Sequence, residues 1–331
     1  MKKVRVGILG CANIAEKYAI AAFKSLPAVE LVAIASRDKS KAEEWARRHG
    51  LATEDYDSLI AREDIDVLYS PLPIGLQEEW VLKAAKAGKH VICEKSITYS
   101  LESAKRMVAV CKENNVALYE NFVPEFHPQH AKVLSLIEAG SIGVPRVWSG
   151  VYGFPPFPPN DIRYSAELKG GALNDAGCYT AFMARKIMRQ EPIALTCTLS
   201  NDGAEVDVAG SALFEFAHGT AQMSFGFDHL YQNTYSVWGS KGMVRTNRAF
   251  ALPPTLAPIV ELVTNDGTKD MCETIEIAPA NQFARSFDFF CSAVAEGDTM
   301  LFEDMYERTL LQAATLEAMR TSAREERRVE L

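Results

Sequence analysis

The stretch Val4-Arg5-Val6-Gly7-Ile8-Leu9-Gly10-Cys11-Ala12-Asn13-Ile14-Ala15 decides the fold. An apolar run of strand length ends at a glycine, small residues follow, and a helical pattern continues over Ile14–Leu26. Strand, tight turn and helix in that order present main-chain N–H groups and a helix dipole to a pyrophosphate. Gly10, Ala12 and Ala15 occupy the three positions of a G-x-G-x-x-G fingerprint, with alanine at the second and third. Gly10 permits the turn, Ala12 still admits close approach, and Ala15 lets the helix pack on the strand. Gly10, Ala12, Asn13 and Ile14 are therefore candidate dinucleotide contacts. The start MKKVRVGILGCA superficially resembles a lipoprotein signal ending at Cys11, but Arg5 interrupts an apolar run that is already too short, so it reads as a first strand.

Outward from this unit, strand and helix patterns alternate. Val29–Ala35, Ile65–Tyr69, His90–Cys93 and Ala117–Glu120 are strand-like. Between them, Ser40-Lys-Ala-Glu43 reads as a capping box opening a helix that Gly50 closes, Glu78–Ala87 is a helix closed by Gly88, and Leu101–Asn114 is a third. Such a series predicts an α/β fold, a doubly wound parallel Rossmann sheet over residues 1–123. The second strand ends where an acidic residue would select a ribose 2′-hydroxyl, yet Ser36 and Arg37 stand there. A hydroxyl and a guanidinium suit a 2′-phosphate, so the sequence predicts NADP(H), with NAD(H) as the alternative because Asp38 lies close by.

After residue 123 the rhythm changes. Arg146–Gly153, Ile193–Leu199, Gly210–Phe216, Thr220–Phe227, Tyr235–Trp238 and Met243–Thr246 are strand-like and separated by turn residues, which predicts a large, mainly antiparallel sheet in an α+β domain over 124–331. Phe154–Asp161 (FPPFPPND) reads as an ordered loop. Near the end, Phe283, Phe287, Phe290 and Val294 form a helical apolar stripe expected to pack on that antiparallel sheet.

Composition bounds the function. A chain of 331 residues exceeds what one core usually fills, and 48% hydrophobic with 24% charged residues is ordinary globular usage. The formal charge of −8 opposes nucleic acid, whose affinity rests on neutralised phosphates. Seven scattered cysteines without a CxxC pair suit a reducing compartment, and no run of 18 apolar residues predicts a membrane span, so a cytoplasmic enzyme is expected. Six dispersed histidines suggest no metal site. Cys11 reads as a small thiol filling the turn.

Ala87-Gly-Lys-His-Val-Ile-Cys-Glu-Lys95, taken with the opening loop and Gly170-Gly-Ala-Leu-Asn-Asp175-Ala-Gly-Cys-Tyr179, resembles the glucose-fructose oxidoreductase / inositol dehydrogenase / MocA family along nearly the whole chain. The Phe154–Tyr164 segment is most similar in pattern to its nucleotide-sugar 3-ketoreductases. The resemblance implies a Rossmann domain paired with an antiparallel α/β domain, and hydride transfer between nicotinamide and a carbohydrate ketone or alcohol. Free sugars, inositol-like polyols and dihydrodiols are alternative substrates, and a non-catalytic dinucleotide sensor is the alternative class. Two departures stand out. Ser96 replaces the proline of Glu-Lys-Pro, and Gln77 replaces the usual histidine in the loop beginning Pro71-Leu72.

Hydride transfer to a ketone leaves charge on oxygen, so a proton donor or a fixed cation is needed there. The resemblance points to Tyr179 as acid/base and Lys95 as the cation that polarises the carbonyl and lowers the tyrosine's pKa. It adds Pro71, Leu72, Glu94 and Lys95 to the cofactor contacts, Glu94 either meeting the nicotinamide ribose or pairing with a neighbouring cation. Asp175 either orients substrate hydroxyls or caps the helix. Arg163 either clamps an anionic group or forms a structural ion pair. His127 is a substrate contact, an alternative proton donor, or a loop-end hydrogen bonder. The open face of the C-terminal sheet, with apolar alternation at Ala212–Phe216 and Ala221–Phe225, is expected to pair copies as a homodimer or homotetramer.

Overall fold

A computed structural model describes residues 3–331; Met1 and Lys2, the start of the signal-like stretch, lie outside it. Two compact units form. One runs to Val123 and adds Phe283–Ala313; the other comprises Pro124–Gln282 and Ala314–Leu331.

The first unit carries strands β1 (Val4–Leu9), β2 (Val29–Ala35), β3 (Ala52–Glu54), β4 (Val67–Ser70), β5 (His90–Glu94) and β6 (Leu118–Asn121), all parallel, in the order β3-β2-β1-β4-β5-β6. This is the Rossmann order, with its ligand crevice at the carboxyl ends of β1 and β4 where the strand order reverses. Helices α1 (Ile20–Lys24), α2 (Lys39–His49), α3 (Tyr56–Ala61), α4 (Ile74–Lys86) and α5 (Leu101–Glu113) alternate with the strands. Between β1 and α1 the chain makes a π-turn over Ala15–Ala19, whose buried Ala15 and Ala19 admit close packing. The predicted capping box is corrected. Helix α2 starts at Lys39, and Asp38 caps it by accepting from the Lys41 N–H at 3.2 Å, while Ser40 Oγ donates to the same carboxylate at 2.7 Å.

The second unit holds a nine-stranded sheet of β7 (Pro145–Gly153), β8 (Ala194–Ser200), β9 (Ala209–Glu215), β10 (Thr220–Gly226), β11 (Gln232–Gly239), β12 (Gly242–Thr246), β13 (Ile259–Asn265), β14 (Asp270–Glu276) and β15 (Val329–Glu330). Its order is β14-β13-β12-β11-β7-β10-β9-β8-β15, and every pairing is antiparallel except β7 with β10. Helices α6 (Pro128–Glu138) and α7 (Cys178–Met188) belong to this unit, and α7 is entered through a second π-turn, Leu173–Gly177.

Two expectations fail here. The alternating Ala212, Phe214, Ala221, Met223 and Phe225 do not face outward; they are buried on the side where α7 and its π-turn pack. The outer face instead shows Thr196, Thr198, Ser211, Gln222 and Ser224 among a few exposed apolar groups. The stripe of α8 (Gln282–Glu296) packs on the parallel sheet rather than the antiparallel one, so residues 283–313 do not belong with 124–282. Phe287 stacks on Phe23 at 3.9 Å between centroids and meets Tyr69 of β4 edge-on, Phe283 stacks on Tyr18, and Phe290 stacks on Tyr119 of β6. The long α9 (Thr299–Glu325) contributes Phe302, Met305 and Tyr306 to the first core and Leu316 and Met319 to the second.

Candidate active site

In the first unit each candidate loop begins one residue beyond a strand. Gly10 follows β1, Ser36 follows β2, Pro71 follows β4 and Lys95 follows β5, so these residues line the carboxyl edge of four neighbouring strands. Gly10 has φ of +126°, its N–H donates to the Ala35 carbonyl at 2.9 Å, and a Cβ there would lie 2.9 Å from Leu72 Cδ2. Glycine is required on both counts. Leu72 is held in turn by Gln77, a fully buried side chain whose Nε2 donates to the Leu72 carbonyl at 2.9 Å and to that of Ser70, while its Oε1 accepts from Ser70 Oγ at 2.7 Å. The residue that departs from the family pattern thus anchors the loop that covers Gly10.

Beyond β2, Ser36 Oγ accepts from the Asp38 N–H at 3.2 Å, and the Asp38 carboxylate is occupied in capping α2, with Ser40 holding its pKa below the usual range. Arg37 is exposed, and its guanidinium makes no hydrogen bond or ion pair with another described residue. Lys41 Nζ reaches back from α2 to the Cys11 carbonyl at 2.7 Å. The Cys11 thiol is buried and its pKa is pushed up by that burial, as suits an unreactive filler of the turn. Sequence reading missed Lys41 and noted Gln77 only as a departure from the pattern, because only the fold brings α2 and α4 to this edge.

At the end of β5, Glu94 Oε1 accepts from Tyr69 Oη at 2.8 Å and from Asn121 Nδ2 at 2.7 Å. Burial raises the Glu94 pKa, and those two hydrogen bonds and the neighbouring Lys95 charge oppose the rise. Lys95 is partly exposed, the Lys95–Ser96 peptide bond is cis, and Ser96 is buried.

In the second unit the candidate residues gather on and around α7. From Gly171 to Met188 only Asp175, Tyr179 and Lys186 leave the core, a stripe at spacings of four and seven along one face. The Tyr179 ring lies edge-on to buried Tyr152 at 5.6 Å and tilted beside Phe250 at 6.2 Å, so its ring is fixed by aromatic walls. The entry to the helix is pinned by Asp207, whose Oδ2 accepts from the Leu173 N–H at 2.6 Å and whose carbonyl accepts from the Ala172 N–H. Arg163 Nε donates to Asp175 Oδ2 at 2.8 Å, its Nη1 donates to Asp161 Oδ1 at 3.0 Å, and its guanidinium covers the Phe157 ring; the two carboxylates hold its pKa above the ordinary value. Asp175 and Arg163 are therefore brought together with each other. His127 lies at the start of α6. It is buried and caps α6, its Nδ1 accepting from the Gln129 N–H at 3.4 Å, while nearby Glu125 pairs with Lys186 at 2.7 Å.

Residues 4–122 match the profile of an oxidoreductase family with an NAD-binding Rossmann fold, and residues 130–245 match the GFO/IDH/MocA C-terminal domain. The chain is 37% identical over 326 residues to the dTDP-3,4-didehydro-2,6-dideoxy-alpha-D-glucose 3-reductase of Actinomadura kijaniata, covering 97% of this chain and 96% of that one. It is 32% identical over 328 residues to D-xylose 1-dehydrogenase (NADP(+)) 2 of Haloferax volcanii, covering 98% and 99%. Among solved structures, the 3-ketoreductase KijD10 of A. kijaniata in complex with NADP and TDP-benzene superposes with a TM-score of 0.90 at 36% identity over 97% of this chain and 98% of that one. The chain belongs to the Gfo/Idh/MocA oxidoreductase family.

Proposed function

We propose that this protein is an NADP(H)-dependent ketoreductase acting on a nucleotide-linked 3-keto-sugar, with Tyr179 delivering the proton and Lys95 supplying the positive charge. The observation that carries the reading is the face of α7, where a phenol backed by Tyr152 and Phe250 is one of three groups to emerge from an otherwise buried helix. Full-length similarity to a dTDP-sugar 3-reductase supports the substrate class. NADPH, when bound, supplies the hydride for ketone reduction. Gly10, Ala12, Asn13 and Ile14 would present the turn and helix start to the pyrophosphate, with Pro71 and Leu72 closing over it. Ser36 and Arg37, with Lys41 beside them, would hold a 2′-phosphate, because the adjacent Asp38 carboxylate is spent on capping α2. Glu94 would meet the nicotinamide ribose, and Lys95 would sit beside the carbonyl, where an ammonium stabilises both the developing oxyanion and the phenolate left on Tyr179.

Lys95→Ala and Tyr179→Phe should each retain NADPH affinity while lowering turnover of a dTDP-3-keto-sugar at least about 100-fold. Unchanged turnover in both variants overturns the assignment. Arg37→Ala should narrow the preference for NADPH over NADH about tenfold or more, since a charge-assisted contact is lost; a preference for NADH that survives the change overturns the cofactor reading. Similarity to a xylose dehydrogenase over the whole chain favours a second reading, oxidation of a free sugar. NADP⁺ reduction with aldoses, in the absence of nucleotide, separates the two. In either reading Asp175 and Arg163 act on substrate as a linked pair.

Seven cysteines outside any disulfide fit a reducing, cytoplasmic setting. Copies would associate through the outer face of the nine-stranded sheet, where Trp238, opposite Val147, is 63% exposed and Val151 and Leu213 are exposed elsewhere on the same face. Sedimentation of Trp238→Glu against the parent chain tests the dimer or tetramer.

A further inference from the structure

A chain of buried hydrogen bonds reaches Glu94 from the far end of the sequence. Ser286 on α8 is fully buried, and its Oγ donates to Asn121 Oδ1 at 2.7 Å; Tyr119 Oη lies 3.3 Å from the same hydroxyl. Because the Ser286 proton goes to Asn121, Tyr119 is the donor in its own contact with Ser286. Asn121, also fully buried, then has its amide direction fixed: oxygen towards Ser286, nitrogen towards Glu94 Oε1 at 2.7 Å. Tyr69 donates to that same Oε1. Both side-chain donors thus converge on one carboxylate oxygen; the Lys95 main-chain N–H also acts on the carboxylate, and Oε2 retains acceptor capacity for a hydroxyl outside the protein. The acceptor-only carboxylate of Glu94 sets which end of the amide is nitrogen, and Ser286, donating to Oδ1, holds the other end in place. Without it, Oδ1 is left buried and short of a donor, and the amide loses the anchor that holds Nδ2 against Glu94.

We propose that Ser286 is a positioning residue for cofactor binding: through Asn121 it fixes the Glu94 carboxylate so that Oε2 accepts from the ribose diol at the nicotinamide end. The proposal rests on the reading of Glu94 given above. It makes a specific prediction about which half of the cofactor is affected. Ser286→Ala should weaken NADPH binding about tenfold, as expected for one misplaced hydrogen bond to a charged group, and leave the affinity for adenosine 2′,5′-bisphosphate, which lacks the nicotinamide riboside, within about twofold.

The experiment is a double-mutant cycle on the full chain, with NADPH and adenosine 2′,5′-bisphosphate titrated separately by calorimetry into the parent, Ser286→Ala, Glu94→Gln and the double variant. The expected result is a loss confined to NADPH in each single variant, with no further loss when Ser286→Ala is added to Glu94→Gln. A merely structural serine would weaken both ligands together or neither. If Glu94→Gln does not discriminate between the ligands, the reading of Glu94 fails. If Glu94→Gln does and Ser286→Ala does not, or if the two losses add fully, the positioning role is overturned. Should Ser286→Ala fold poorly, Asn121→Leu, which removes the same link while keeping the volume, must show the same NADPH-specific loss.

Discussion

Gly171 has φ of +108°, and a Cβ at that position would overlap Asp207 Oδ1. The Asp207 carboxylate is half-buried, and the loss of water around it raises its pKa; the Leu173 N–H from which it accepts is one of the orphan donors at the start of the π-turn leading to Tyr179. Gly171→Ala therefore strains the backbone and displaces the group that caps the helix. A loss of about 2–3 kcal/mol in stability is expected from urea unfolding, with turnover falling because Tyr179 sits one helical span further on. Parent-like stability would mean that the loop yields without cost. At this scale the residues legible in the sequence were those inside short motifs: Gly10, Lys95, Tyr179 and the Ser36-Arg37 pair are recognisable from their neighbours. Those that were not legible act through distant partners. Ser286 lies 165 residues from Asn121, and Gln77 differs from the expected histidine, so neither can be assigned a task before the chain has folded.

Elements were legible where a buried face imposes a period. Strand β2 spans Val29–Ala35 as its apolar run indicates, and the alternation at 212–225 is real. Alternation alone does not say which side of a sheet a helix will cover, and here α7 covers the apolar side. Strands β13 and β14 went unread because β14 is almost wholly exposed, and a strand without a buried face leaves no period-two signal. The α8 stripe shows the same limit, since its period fixes a helix but not its docking site. The stack of Phe287 on Phe23, with Tyr69 against its edge, assigns that site to the parallel sheet. Phe287 is fully buried, so Phe287→Ala should cost about 3–5 kcal/mol. Intrinsic fluorescence during urea unfolding, compared with hydrogen exchange at β4 and β6, should show the loss in strands of the Rossmann sheet. Destabilisation confined to β7–β12 would contradict this packing.

For the whole molecule, the response to acid depends on which groups must change protonation when the fold is lost. With 43 Asp and Glu against 35 Lys and Arg, many carboxylates contribute to a general acid limb. His130 adds a separable share within the second unit. It is 1% exposed, its Nε2 faces the Ala249 carbonyl at 3.0 Å and its Nδ1 faces Tyr235 Oη at 2.9 Å. A carbonyl can only accept, so Nε2 carries the proton and Nδ1 accepts from the tyrosine; the ring is neutral and fully used. Burial, with the charges of His127 and Lys186 adding to it, pushes its pKa from 6.5 down to about 3, although the Ala249 carbonyl pulls the other way. For a base depressed by folding, the sign is definite. Above pH 6.5 neither state takes the proton and stability is complete; below it the unfolded chain binds a proton that the folded chain refuses, until pH reaches about 3. The loss is about 1.4 kcal/mol per pH unit in that window. His130→Gln, which retains a donor and an acceptor without a titrating ring, should lower stability at pH 8 yet flatten the decline. Urea midpoints at pH 7 and pH 4.5 should show the parent losing about 2–3 kcal/mol more than the variant. Parallel pH profiles for the two chains would mean that His130 is charged in the folded protein, and the hydrogen bond assigned to Nδ1 would have to be reversed.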